Sequence, residues 1–284
     1  MTDVGIMQGR LLPPFEGRFQ AFPAARWRDE FALARAAELA CIEWIFEKPN
    51  EQVNPLNSDQ GIAELHRLIK ESGVEVRSIC ADYYMFEPLI DQDGAPRQAT
   101  VDHLRWLMGQ AAKLPVIYMV LPFVDASSLS SPKQRDTLVS IMAELGPLAS
   151  ELGLELHLET DLPPAIFHGV LEAIDQPSVR MNFDIGNSAS LGFDPVQELT
   201  ALGPYLGSVH VKDRILGGGT VALGQGNADL KTCFDLIHSY GFRRHLILQA
   251  ARGEEGQEVP LAASNRQLVE RHMTLTPESS MIDQ

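Results

Sequence analysis

The chain has 284 residues, 45% of them hydrophobic, and a formal net charge of −15, which excludes a nucleic-acid partner because such a partner needs a positive footprint. The longest apolar runs, such as VIYMVLPFV at 116–124, are too short to cross a bilayer, so no membrane partner is expected. No basic stretch followed by an apolar one opens the chain, and Cys41, Cys80 and Cys233 have neither zinc nor redox spacing; both fit a cytoplasmic protein with buried thiols.

Short β-rich runs alternate with helical periods along the chain. Strands are predicted at 3–8, 41–47, 74–82, 116–123, 154–159, 179–184, 207–213 and 245–250. Helices are predicted at 27–40, 58–72, 97–113, 133–151, 164–175, 195–202, 228–240 and 260–272. Gly73, Gly153 and Gly241 follow helical segments as C-caps would. Eight strand–helix units predict a single (β/α)8 barrel (TIM barrel) over 1–273, with a loosely ordered tail at 274–284. A doubly wound sheet is the alternative, but its glycine-rich phosphate turn is missing from Gln8-Gly9-Arg10-Leu11.

Alternation within the strands separates two faces. Leu154, Leu156 and Leu158 oppose Glu155, His157 and Glu159; Val179, Met181 and Phe183 oppose Arg180, Asn182 and Asp184; Val209 and Val211 oppose Ser208, His210 and Lys212. The apolar faces are expected under the helices and the polar ones inside the barrel. Parallel strands normally read as continuous apolar runs, so a polar interior needs partners, a metal or both. Glu155 and Arg180 are expected to pair, and His157 to support the site from one step below Glu159.

Glu159, Asp184, His210 and Gln249 close four successive strands, where barrel active sites are built. Neighbouring strands lie about 4.8 Å apart, so four such ends can surround one ion. Carboxylates, an imidazole and an amide oxygen suit Mn2+, Mg2+, Co2+ or Zn2+ without choosing among them.

With these motifs in order, the chain resembles the xylose-isomerase-like barrel superfamily, and within it the sugar-phosphate isomerases and epimerases of the hexulose-6-phosphate and L-xylulose-5-phosphate 3-epimerase group. The resemblance runs from GIMQGRL at 5–11, through IEWIFE at 42–47 and ETDLPP at 159–164, to FDIGNSASLG at 183–192, VHVKDR at 209–214 and LGQGNADL at 223–230. It implies a divalent metal held by Glu, Asp, His and a second Glu, and two glutamates that exchange protons on opposite faces of a keto-sugar or sugar phosphate through an enediolate. Glu159, Asp184 and His210 match the first three ligands. Gln249 departs from the fourth, and an amide cannot take up a proton. Three routes stay open for catalysis with Glu159 as base: a second acid/base from Glu47, Asp82 or Asp213; an isomerisation on one face; or loss of water from a keto-polyol, a lyase reaction. A non-catalytic sugar-binding barrel is the rival from another class. Abasic-site endonucleases share the barrel but need a His-rich zinc cluster and a basic face. Such barrels are often dimers or tetramers, so a homo-oligomer is expected.

Basic residues after strand ends, Arg10, Lys48, Lys212, Arg214 and Arg252, are candidates to hold a phosphate or other anion. Lys212 is expected either at a substrate oxygen or on Asp184. Asn187 occupies a position where the resemblance implies a substrate contact. Glu47 is expected at the barrel mouth, on a substrate hydroxyl or as the missing acid/base, with Trp44 and Phe46 packed under helices. The glycine run at 217–219 is expected to form a lid, a short hairpin or a loop, and the amides around Gly224–Gly226 to attract an anion.

Overall fold

The computed structural model describes residues 3–275. Eight strands, β1 (Val4–Met7), β2 (Cys41–Ile45), β3 (Glu75–Cys80), β4 (Tyr118–Phe123), β5 (Glu155–Thr160), β6 (Val179–Asp184), β7 (Leu206–Val211) and β8 (Leu246–Leu248), pair in parallel and close on themselves in chain order. β1 bonds to both β2 and β8, which excludes the doubly wound sheet. Outside run α1 (Asp29–Ala36), α2 (Asp59–Ser72), α3 (Gln98–Ala111), α4 (Pro132–Glu151), α5 (Pro164–Ile174), α6 (Pro195–Leu202), α7 (Leu230–Ser239) and α8 (Glu258–Leu275). The tail expected at 274–284 lies, from 276 onward, outside the described residues. Among the described residues no helix is long and apolar enough to cross a membrane.

Local chemistry sets the helix limits. Ser58 Oγ accepts from Gly61 N at the start of α2, and Gly73, at φ 74°, ends it in the left-handed region. Ser131 and Gln134 form a reciprocal capping box at α4, with Pro132 at the first helical position.

The apolar core lies between strands and helices, as the alternation predicts. Trp44 is fully buried, with ring centroids 5.7 Å from Phe22, 5.5 Å from Trp27 and 6.3 Å from Phe31. Its indole Nε1–H donates to Asn54 Oδ1 at 3.1 Å, so no polar atom is stranded. Phe46 packs between Tyr83 and Trp106.

Three features differ from or sharpen the sequence reading. The expected Glu155–Arg180 pair does not form: β5 and β6 align His157, not Glu155, with Arg180. Arg244 reaches Glu155 instead, with Nη2 2.7 Å from Oε1, while Arg180 donates to the Leu206 carbonyl at 3.1 Å. Two short helices, Tyr83–Phe86 and Ile185–Leu191, fill the loops after β3 and β6. The glycine run forms a hairpin, pairing Asp213–Arg214 with Thr220–Val221.

Replacing Trp44 by Ala removes the hub of this aromatic layer and leaves Asn54 Oδ1 with one of its two donors, Leu56 N. Urea unfolding of Trp44→Ala is expected to show a loss of about 3–5 kcal/mol. A loss below about 1 kcal/mol would mean that the layer collapses around the gap.

Candidate active site

The C-terminal ends of β5, β6 and β7 bring Glu159, Asp184 and His210 together, with one ligand atom from each lying within 4.8 Å of the others. Register places Asp184 directly beside His210. His210 is fully buried; its Nδ1 lies 3.3 Å from Glu159 Oε2 and 3.8 Å from Asp184 Oδ2. Its Nε2 donates to Glu43 Oε1, on β2 across the barrel, at 2.6 Å. Burial disfavours a charged imidazole, yet Glu43, Asp184 and Glu159 together hold its pKa well above the usual histidine range. Burial also opposes ionisation of Asp184, but Lys212, with Nζ 2.7 Å from Oδ2, and His210 hold that carboxyl down to about 2. Lys212 thus pairs with Asp184, one of the two expected arrangements.

A second set of side chains orients Glu159. Asn182 Nδ2 donates to Glu159 Oε2 at 3.0 Å, and Asn187 Nδ2 donates to Oε1 at 2.7 Å. The Asn182 carbonyl accepts from Ser208 Oγ at 2.7 Å. Ser208 has one proton and has used it, so His157 must donate from Nδ1 to Ser208 Oγ, 2.8 Å away. Burial pushes the His157 pKa down to about 4, and its ring stacks on Tyr118 at 4.3 Å. Its Nε2 faces the Glu155–Arg244 pair below. His157 therefore supports the site as expected, through two intermediaries rather than by contact.

Of these groups Glu159, Asn187 and Lys212 reach a cavity of about 690 Å3, which Arg18, Gln20, Glu47, Asp82, Arg214 and Gln249 also line, with Phe19 and Phe86 among its apolar members. Gln249 Nε2 donates to Gln20 Oε1 at 2.9 Å, and its own Oε1 is buried without a partner. Arg214 turns its guanidinium to Asn187 Oδ1 at 2.9 Å and to the Gly218 carbonyl, and among the described residues it forms no ion pair. Glu47 does stand at the mouth, but Arg18 binds it at 2.6 and 3.1 Å, not Arg10 or Lys48. Arg10 and Arg252 lie behind the cavity wall: Arg10 donates to the Phe19 carbonyl and to Gln20 Oε1, and Arg252 to the carbonyls of Phe19 and Leu12. The amides of Gly224, Gly226 and Ala228 do receive an anion, the carboxylate of Asp213, at 2.9–3.0 Å.

Glu43, Asn182, Arg18 and Gln20 escaped the sequence reading as site residues. A signal existed for Glu43, a lone acid in the apolar strand CIEWI, and for Asn182, on the same face as Asp184. Arg18 and Gln20 sit in an irregular loop with no periodicity to place them.

Comparison with known proteins agrees with this architecture. The family model for xylose isomerase-like TIM barrels matches residues 31–271. An L-ribulose-5-phosphate 3-epimerase of Shigella flexneri is 24% identical over 235 residues, covering 78% of this chain and 82% of that protein. Among solved structures, an L-ribulose 3-epimerase superposes with a TM-score of 0.74 at 16% identity, covering both chains completely. A xylose isomerase-like barrel from Mycobacterium smegmatis in complex with magnesium gives 0.72 at 17% identity, covering 96% of this chain and 97% of its own.

The chain from His157 to Asn182 makes Ser208 a hinge of the site's order. Ser208→Ala leaves a buried imidazole N–H and a buried amide oxygen unpaired. Denaturant titration is expected to show a loss of about 1–3 kcal/mol; a loss under about 0.5 kcal/mol would show that the relay holds nothing in place.

Proposed function

The chain belongs to the xylose isomerase-like TIM barrel family, and from that premise we propose that it is a divalent-metal-dependent isomerase or epimerase of a keto-sugar or sugar phosphate. The observation that carries this reading is the convergence of Glu159, Asp184 and His210 beside the unpartnered buried oxygen of Gln249. The donor set fits a cation. Three carboxylates surround one imidazole, so positive charge is needed there. A proton on His210 Nδ1 supplies part of it, and metal binding displaces such protons. The Glu43 carboxylate on Nε2 fixes the ring so that Nδ1 faces the acids, an arrangement that supports ligating histidines elsewhere. Glu159, Asp184, His210 and Gln249 would hold the ion, and Mn2+, Mg2+, Co2+ or Zn2+ each suit these donors. An ion held there would supply Lewis acidity toward a ketone or hydroxyl oxygen. The epimerase names of the relatives support the choice of reaction class.

Glu159 is the base in this reading. It lines the cavity, and its two oxygens are aimed by Asn182 and Asn187. It takes the proton from the carbon beside the ketone; the C–H electron pair enters the new C–C double bond of an enediolate. Asn187, Lys212 and Arg214 form a connected polar edge beside it, and Glu47 with Arg18 forms another on which sugar hydroxyls can dock. Arg214, with no ion pair among the described residues, is the group best placed to receive a phosphate. Arg10 and Arg252 serve that end indirectly, by holding the loop that carries Arg18.

Two experiments test the reading. Calorimetric titration with Mn2+ is expected to give one site per chain, with Asp184→Asn and Glu159→Gln each weakening binding at least tenfold; wild-type protein that binds no divalent ion overturns it. With L-ribulose 5-phosphate, L-ribulose and D-allulose in deuterated water, the metal-loaded protein is expected to exchange the C3 hydrogen of at least one sugar. Glu159→Gln should slow that exchange by about 10²–10⁴-fold in the epimer whose proton Glu159 removes. Arg214→Met should raise KM for the phosphorylated sugar by roughly ten- to a hundredfold, the scale of one lost charge-assisted contact, and leave the neutral sugars nearly unaffected.

A further inference from the structure

Epimerisation removes a proton from one face of a carbon and returns one to the other, and the amide of Gln249 has no proton to exchange. Three carboxylates at other strand ends are candidates for the second face. Asp213 is fully buried and spent on three backbone amides. Glu47 accepts from Arg18, Asn50 Nδ2 and Phe22 N, which occupies both of its oxygens. Asp82 differs from both. It lines the same cavity as Glu159, accepts only from Gln20 Nε2 at 2.8 Å and Cys80 Sγ at 3.2 Å, and forms no ion pair among the described residues.

Asp82 lies just beyond β3, two strands from β5 in the barrel order, with β4 between it and Glu159. Gln20, on the loop that follows β1, joins Asp82 on one side to Gln249 on the other. We propose that Asp82 is the second proton-transfer group of this barrel, acting from the end of β3 on the cavity it shares with Glu159. The inference rests on the epimerase reading above. In the forward step Glu159 gains the C3 proton and the electron pair moves into the enediolate double bond. In the return step that pair takes the Asp82 carboxyl proton at C3 from the other face, the ketone re-forms, and Asp82 is left as a carboxylate. Glu159 then loses its proton to water at the open mouth and Asp82 regains one, so no co-reactant is consumed. Burial, with the charges of Glu159 and Glu47 added, holds the Asp82 carboxyl up to about 6, against the bonds from Gln20 and Cys80, so a protonated fraction exists near neutral pH.

The test uses Mn2+-loaded wild type, Asp82→Asn and Glu159→Gln in deuterated water. The probes are two C3-epimer pairs, L-ribulose 5-phosphate with L-xylulose 5-phosphate and D-allulose with D-fructose. Wild type should interconvert one pair and label C3 in both members. Asp82→Asn should lose interconversion by at least about 100-fold, bind Mn2+ as before, and still exchange C3–H in one epimer only; Glu159→Gln should exchange only in the other. Interconversion at the wild-type rate in Asp82→Asn overturns the assignment. So does loss of exchange from both epimers with Mn2+ affinity unchanged, which would make Asp82 a positioning residue. Wild type inert toward all four sugars removes the epimerase reading, and this inference with it.

Discussion

One imidazole holds the centre of this barrel together. His210 is fully buried and touches acids from three other strands: Glu43 on its Nε2 side, Glu159 and Asp184 on its Nδ1 side. Charges placed inside a barrel are tolerable only when they compensate one another. Here three carboxylates face His210 and Lys212, and even a doubly charged pair of bases leaves one negative charge over. That residual charge would favour a cation. Two irregularities in the sheet adjoin the cluster. The β2–β3 register shifts between Ile42 and Glu43, and the β6–β7 register shifts between Met181 and Asn182. Each bulge sits beside a residue that must be re-aimed to reach the cluster.

Below the cluster the barrel is filled by hydrogen bonds that run in one direction. Arg244 binds Glu155, His157 donates to Ser208, Ser208 donates to Asn182, and Asn182 donates to Glu159. The order of donors follows from proton counting, because a serine has one hydrogen to give. Its consequence is that the Asn182 amide has a single productive orientation, N–H toward Glu159. A carboxylate held by two amide donors, Asn182 and Asn187, has both oxygens fixed in direction.

The fold and the meeting of Glu159, Asp184 and His210 were legible because both rest on local periodicity. Leucines at 154, 156 and 158 alternate with polar residues, and that alternation alone sends Glu159 inward. Asp184 and His210 follow the same rule. What periodicity does not carry is the pairing of strands that are far apart in the chain. Glu43 meets His210 across 167 residues, and the Glu155 partner proved to be Arg244, 89 residues away, not Arg180 on the neighbouring strand. The basic residues were misleading for a related reason. Arg10, Arg214 and Arg252 all follow strand ends, and sequence position gives no sign of which guanidinium turns outward. Only Arg214 does so into the cavity.

The two arginines that turn away shape the wall opposite the base. Burial and the nearby Arg252 charge push the Arg10 guanidinium down to about 9, and both side chains are committed to loop carbonyls at Leu12 and Phe19. That commitment fixes the loop carrying Arg18 and Gln20. Arg18 then neutralises Glu47, and Gln20 bridges Gln249 and Asp82 by two amide hydrogen bonds. A carboxylate at position 249 would face the Gln20 carbonyl oxygen in place of a donor, and would add a second acid around Gln20, which already holds Asp82. The glutamine suits that neighbourhood on both counts: it donates to Gln20 and leaves its oxygen for a cation. The departure at 249 is therefore matched by the loop after β1, and the two positions read as one arrangement of the same wall.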